Sequence, residues 1–227
     1  MAALLIDGSG TGGTLLTRAP LMSGFAEHWL RDTLFKHPAL IPLNAIDPGA
    51  GEVIPICREF PLSREGGTVF LDILGMTRQG RLVLIECKLW RNPQARREVV
   101  AQILEYAALM RRLSVSDLLQ TLHGRKGMTG SNPIFDLLAA RHPETEEALF
   151  TDRIDDSLRR GDFDPLIVGD GIRSDIGVIA EHLRDSGARF SLVEMQVWQG
   201  AQGEQLLVPP HPLSQRSGQA APGRRCR

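Results

Sequence analysis

Three ionisable side chains interrupt two otherwise apolar runs. Asp72 lies in Val69-Phe-Leu-Asp-Ile-Leu-Gly-Met76, and Glu86 and Lys88 lie in Leu82-Val-Leu-Ile-Glu-Cys-Lys-Leu-Trp90. Both runs have the composition of buried strand, where a charge is costly unless it is paired or holds a cation. Between them, Arg78-Gln79-Gly80 can form a three-residue hairpin loop with glycine in the left-handed third position. That loop pairs Thr77 with Arg81 and, continuing the register, Leu74 with Leu84, Ile73 with Ile85 and Asp72 with Glu86. The two carboxylates become direct cross-strand neighbours, with Cβ atoms about 4.5–5.5 Å apart. Lys88, two residues beyond Glu86, projects from the same face. A one-residue slip would separate the set, and Gly80 opposes that slip.

Two carboxylates at that spacing cannot both stay ionised in a half-buried site without a cation. A hard divalent ion, Mg²⁺ or Mn²⁺, suits an all-oxygen site with few protein ligands, and the Cys87 backbone carbonyl could add a third oxygen. Lys88 would stand beside the attacking water, able to orient it or help remove its proton. Hydrolysis of a phosphodiester is the chemistry such a set performs. The plain alternative is a structural salt bridge at a sheet edge, Asp72–Lys88 or Glu86–Lys88.

The surrounding pattern supplies the elements that would position these groups. A helix from about Gly24 to Lys36, capped by Ser23 and stopped at His37-Pro38, carries Phe25, Trp29, Leu30 and Leu34 at helical spacing. Strands are expected at 53–59, 68–76 and 81–89. Asn92-Pro93 opens a helix running to about Arg112, with Val99, Val100, Ile103, Leu104 and Ala107 toward a core. Gln102 and Tyr106, the chain's single tyrosine, share a face of that helix at i and i+4. Further helices are expected at 115–122, 133–141 and 144–160, with a loop over 124–131. The segment 165–198 reads as strand–helix–strand, with strands at 165–171 and 190–198 and a helix at 173–185. Gly8-Ser-Gly-Thr-Gly-Gly13 matches a dinucleotide fingerprint, but strand-like residues follow it where a helix is required, so it reads as a hairpin turn. Gly169-Asp170-Gly171 is the better anion-loop candidate and would suit a nucleotide-binding protein.

With 227 residues and a net charge of −1, the chain is long enough for a substantial core and shows no global field favouring nucleic acid. Any basic surface must be local. The three cysteines form no ligand pair and fit a reducing compartment. No apolar run reaches the roughly 18 residues of a membrane span. The N-terminus has no basic region of a signal peptide. A cytoplasmic, soluble protein is the expectation.

The order strand-Asp, strand-Glu-x-Lys, helix Gln-x-x-x-Tyr resembles the PD-(D/E)xK nuclease superfamily. Within it, residues from about Ser23 to Met110 are similar to the RecB-like branch and the NucS-like C-terminal nuclease domain. The resemblance implies an α/β (α+β) restriction-endonuclease-like core, a mixed central sheet flanked by helices, with a C-terminal strand–helix–strand extension. On this view 1–113 is the nuclease core, 114–208 packs on it, and 209–227 is a disordered tail. The implied roles are metal binding by Asp72 and Glu86, catalysis by Lys88, and lining of the site or backbone contact by Gln102 and Tyr106. Glu27 matches an acidic residue that often joins the site from the first helix. Phe70-Leu71 stands where the family name has a proline before the aspartate. Arg91, Arg96 and Arg97 would contact the backbone of DNA without reading sequence. DNA is thus the expected partner, and a homodimer is compatible with this core. The alternative is a catalytically silent nuclease-fold module that binds nucleic acid or protein.

Overall fold

The computed structural model describes residues 2–8, 12–19, 25–89, 93–170 and 190–209, by backbone alone over 93–97. The first half of the chain forms β1 (Ala2–Ile6), β2 (Gly13–Ala19), α1 (Glu27–Lys36), a short α2 (Leu43–Ile46), β3 (Ile54–Arg64), β4 (Gly67–Met76) and β5 (Leu82–Leu89). Then come α3 (Pro93–Met110), α4 (Val115–Lys126), α5 (Pro133–Ala139), α6 (Glu147–Arg160), β6 (Phe163–Asp170), β7 (Ser191–Glu194), β8 (Gln196–Gly200) and β9 (Gln205–Val208).

The central sheet has five strands in the order β3-β4-β5-β6-β7. Its first two contacts are antiparallel and its last two parallel. The chain is therefore a mixed α/β protein with helices on both faces of a mixed sheet. A strand with a parallel neighbour is covered on both faces and must be apolar on both, and β5 is buried at every position but Lys88. Val83, Ile85, Cys87 and Leu89 pack toward Leu30 and Leu34 of α1. Leu82 and Leu84 pack on the other face with Val99, Ile103 and Tyr106 of α3. A second, antiparallel sheet, β1-β2-β8-β9, joins the N-terminal hairpin to the C-terminal strands.

The hairpin expected between β4 and β5 is present. The Thr77 N–H donates to the Arg81 carbonyl at 2.8 Å, the Gly80 N–H returns to Thr77 at 3.0 Å, and Gly80 has φ +83°. A Cβ on Gly80 would also lie 2.8 Å from Cβ of Arg153 on α6, so the turn requires glycine for conformation and for space. The register Leu74–Leu84 and Ile73–Ile85 is as the turn dictates.

Other boundaries differ for identifiable reasons. α1 begins at Glu27, with Ala26 as its uncapped flanking residue. β3 runs on to Arg64, five residues past the expected end, because it pairs with β4 throughout its outer half. α4 continues through Gly124 to Lys126, helped by a reciprocal Ser114–Asp117 capping box, and stops at left-handed Gly127. The strand expected over 190–198 divides at Met195, whose N–H donates to the Gly169 carbonyl at 2.6 Å. β7 thereby closes the central sheet, while β8 enters the second one. β9 has only four residues after the Gly203 turn, too short a signal to stand out in the sequence. Among the described residues, no helix is long and apolar enough to cross a membrane. Ser23, Asn92, Gly171, the expected helix at 173–185, residues 210–227, Arg91 and the side chains of Arg96 and Arg97 lie outside the described residues.

Candidate active site

Asp72 sits where both of its strand ladders open. On one side, the β4–β5 register ends at Ile73–Ile85, one pair short of Asp72 and Glu86. Counting alternate pairs from Thr77–Arg81, the Cys87 N–H would next reach the Leu71 carbonyl. It donates instead to Asp72 Oδ2 at 2.8 Å, so the carboxylate takes the place of a ladder acceptor. A residue's N–H and C=O face the same antiparallel neighbour, which directs the Cys87 carbonyl toward the same opening.

On the other side, the β3–β4 register passes from Arg58–Ile73 to Phe60–Leu71 and skips the opposed residues Glu59 and Asp72. Ile73 packs on the α1 side, and Arg58 lies over the Phe35 ring of α1 at 5.4 Å. Phe60 and Leu71 belong to the core on the α3 side. Residues two apart on a regular strand share a face. Both strands therefore change face within one residue, and Glu59 takes a left-handed φ of +51° to do so.

Glu86 is 5 % exposed, and its Oε2 is buried without a hydrogen-bond partner among the described residues. Burial, then the nearby Asp72 charge, pushes its carboxyl well above the usual carboxylate range, with Lys88 opposing. Burial raises Asp72 as well, against the Cys87 hydrogen bond and the Arg31 and Lys88 charges. Neither carboxylate forms the salt bridge with Lys88 that a purely structural role would predict. Lys88 Nζ lies 3.3 Å from Glu27 Oε1 at the start of α1, and Glu27 Oε1 also accepts the Leu89 N–H at 3.2 Å. β5 is moreover the middle strand of five, not an edge. Glu27 thus ties the end of β5 to α1 and holds the ammonium beside the carboxylate pair.

Gln102 and Tyr106 meet as the helical spacing requires. Gln102 Nε2 donates to Tyr106 Oη at 2.6 Å, and the Tyr106 hydroxyl donates to the Phe70 carbonyl at 3.1 Å. The pair fastens α3 to β4 two residues before Asp72. Tyr106 is 2 % exposed, and burial lifts its hydroxyl to about 12, so it stays protonated and able to donate. Tyr106→Phe is expected to cost about 1 kcal/mol, the usual net worth of one buried hydrogen bond. Urea denaturation checks this, and an unchanged midpoint would remove the anchoring role.

One charged group was not singled out in the sequence. Arg31 lies one turn after Glu27 on α1, and its charge acts on both Asp72 and Cys87. Its position at i+4 from Glu27 was the available signal. Gly169 and Asp170 lie in β6, pairing Lys88 and Leu89, so the described part of the anion-loop candidate is strand. Clefts of about 460 and 480 Å³ both border Asp47 and Arg81 at the turn end of the hairpin, away from the carboxylates.

Asp72 and Glu86 fit a hard divalent ion in donor type and in the orphaned buried oxygen of Glu86. Among the described residues no group of three or more His, Cys, Asp or Glu side chains is arranged to hold a metal. Backbone carbonyl and water would have to complete the shell. No family model, curated protein or solved structure matches the chain.

Proposed function

We propose that the protein is a PD-(D/E)xK-type nuclease that hydrolyses DNA phosphodiester bonds with Mg²⁺ or Mn²⁺. The observation that carries this is the Asp72–Glu86 pair at the middle of a mixed sheet, Asp72 half-buried and Glu86 buried, with one Glu86 oxygen unpartnered among the described residues. Such a pair is costly as it stands, and a cation between the carboxylates is the compensation that burial asks for. A divalent ion bound there would polarise the phosphodiester and favour ionisation of water. Asp72 and Glu86 supply its side-chain oxygens, and the Cys87 carbonyl faces the same opening. Lys88, steadied by Glu27, orients the attacking water and offsets charge developing on the phosphoryl oxygens. Gln102 and Tyr106 fix the position of β4, and with it Asp72. Arg91, Arg96 and Arg97, which border the start of α3 in sequence, are proposed phosphate contacts.

The test is cleavage of end-labelled single-stranded, duplex and forked DNA by the wild type and Asp72→Ala, in Mn²⁺, Mg²⁺ or EDTA. Cutting should require metal and fall at least ~100-fold in Asp72→Ala. Cutting that survives EDTA, or survives the substitution, would sink the proposal.

A further inference from the structure

The guanidinium of Arg31 meets Glu59, the residue opposite Asp72 in the β3–β4 register, and its charge acts on Asp72, but it has no part in the chemistry above. Its side chain is 15 % exposed, so the stem is packed and the head is held close to one place. Nε meets Asp32 Oδ1 at 3.1 Å and Nη1 meets Glu59 Oε1 at 2.6 Å. Asp32 is in turn held by Arg58 at 2.8 Å. Glu59 differs from Asp32 in two respects. Its side chain is 56 % exposed, and it stands opposite Asp72 in the register, at the point where the ladder is interrupted. It is also the one non-glycine residue with positive φ among the described residues, a conformation that costs on the order of 1–2 kcal/mol. The backbone strain thus falls at the residue that brings a carboxylate to Arg31 beside the site.

We propose that Arg31 is a phosphate-binding residue of this site, and that Glu59 occupies its outer donor as an internal carboxylate which an incoming phosphodiester displaces. The proposal rests on the nuclease reading of Asp72 and Glu86 and adds the group that receives the substrate. The energetics favour exchange. A solvent-exposed carboxylate–guanidinium pair contributes about 0–1 kcal/mol, whereas a phosphate can take two charge-assisted bonds from the planar fork. Glu27 and Arg31 are neighbours on one face of α1. The helix therefore sets Glu27 at the end of β5 for Lys88 and Arg31 near Asp72 for the phosphate. Glu59 places a negative charge where the substrate's negative charge must come, so it lowers affinity until it is displaced.

The experiment is fluorescence anisotropy of labelled single-stranded and duplex oligonucleotides in EDTA, with full-length wild type, Glu59→Gln, Arg31→Gln and the double variant. Glu59→Gln keeps the size and backbone preference of the side chain and should tighten binding ~3- to 10-fold. Arg31→Gln should weaken it ~5- to 30-fold and lower the slope of log affinity against log salt by about one. The double variant should match Arg31→Gln, because Glu59 acts through that arginine. Equal affinities in all four proteins, no binding by the wild type, or a gain from Glu59→Gln that persists without Arg31 would each overturn the proposal. Thermal melting controls the folding of Arg31→Gln, and the gain expected of Glu59→Gln decides the matter if that variant is unstable. Failure of the nuclease reading has a separate signature: no Mn²⁺ binding and no cleavage, with the Arg31-dependent affinity changes intact.

Discussion

Lys88→Ala should lower the single-turnover cleavage rate by about 10²- to 10⁴-fold, the usual range for a positioned proton-transfer group. Its Mn²⁺ affinity should stay within about threefold of the wild type, because an ammonium has only donors and cannot be a ligand. Any small change should be toward tighter binding, since the substitution removes a positive charge that acts on both Asp72 and Glu86. Asp72→Ala behaves differently, losing metal affinity and cleavage together. Glu27→Gln is intermediate: it weakens the 3.3 Å contact that holds Lys88 without removing the ammonium. Calorimetric Mn²⁺ titration beside quenched-flow cleavage separates the effects. Metal affinity lost in Lys88→Ala as fully as in Asp72→Ala would mean that Lys88 only holds the site together.

Glu86→Gln should stabilise the metal-free protein at alkaline pH and lose that advantage in acid. The sign follows from proton linkage. Burial and then Asp72 raise the folded-state carboxyl of Glu86 far above its unfolded value. Between those two values the native state binds more protons than the unfolded state, so stability falls as pH rises through that window. The contribution is fully present below the ordinary carboxylate range and absent once the folded-state value is passed. Glutamine has no such dependence. At pH 8 in EDTA the variant should exceed the wild type by on the order of 1–3 kcal/mol, and near pH 4 the difference should vanish. Saturating Mn²⁺ should reverse the order, because only the wild type gains stability from an ion bound to the native state. Urea unfolding at the two pH values, with and without Mn²⁺, tests both halves. Equal pH slopes would mean that Glu86 is solvated or paired in solution, and no Mn²⁺ effect on the wild type would count against the metal.

The hairpin was legible because its determinants are local. Gly80 sets the turn and the turn sets the register as far as Ile73–Ile85, so the position of Asp72 opposite Glu86, with Lys88 two residues beyond, could be counted from the sequence. Gln102 and Tyr106 were legible for the same reason, through helical spacing. The partners of these groups were not. That the β4–β5 ladder stops before Asp72 depends on the Cys87 N–H having a side-chain acceptor nearer than Leu71. That Lys88 answers to Glu27 depends on where α1 ends against β5. The division at Met195 depends on one bond to Gly169, and no periodicity within 190–198 could announce it.

By itself, then, the sequence determined the strand register next to the turn and the Gln102–Tyr106 contact within α3, because turn conformation and helical period act over a few residues. Only the tertiary structure decided the middle position of β5, the paired change of face at Glu59 and Asp72, and the approach of Arg31. Each of these joins segments far apart in the chain. Such contacts are selected by packing two cores against one sheet, a choice that no local pattern encodes.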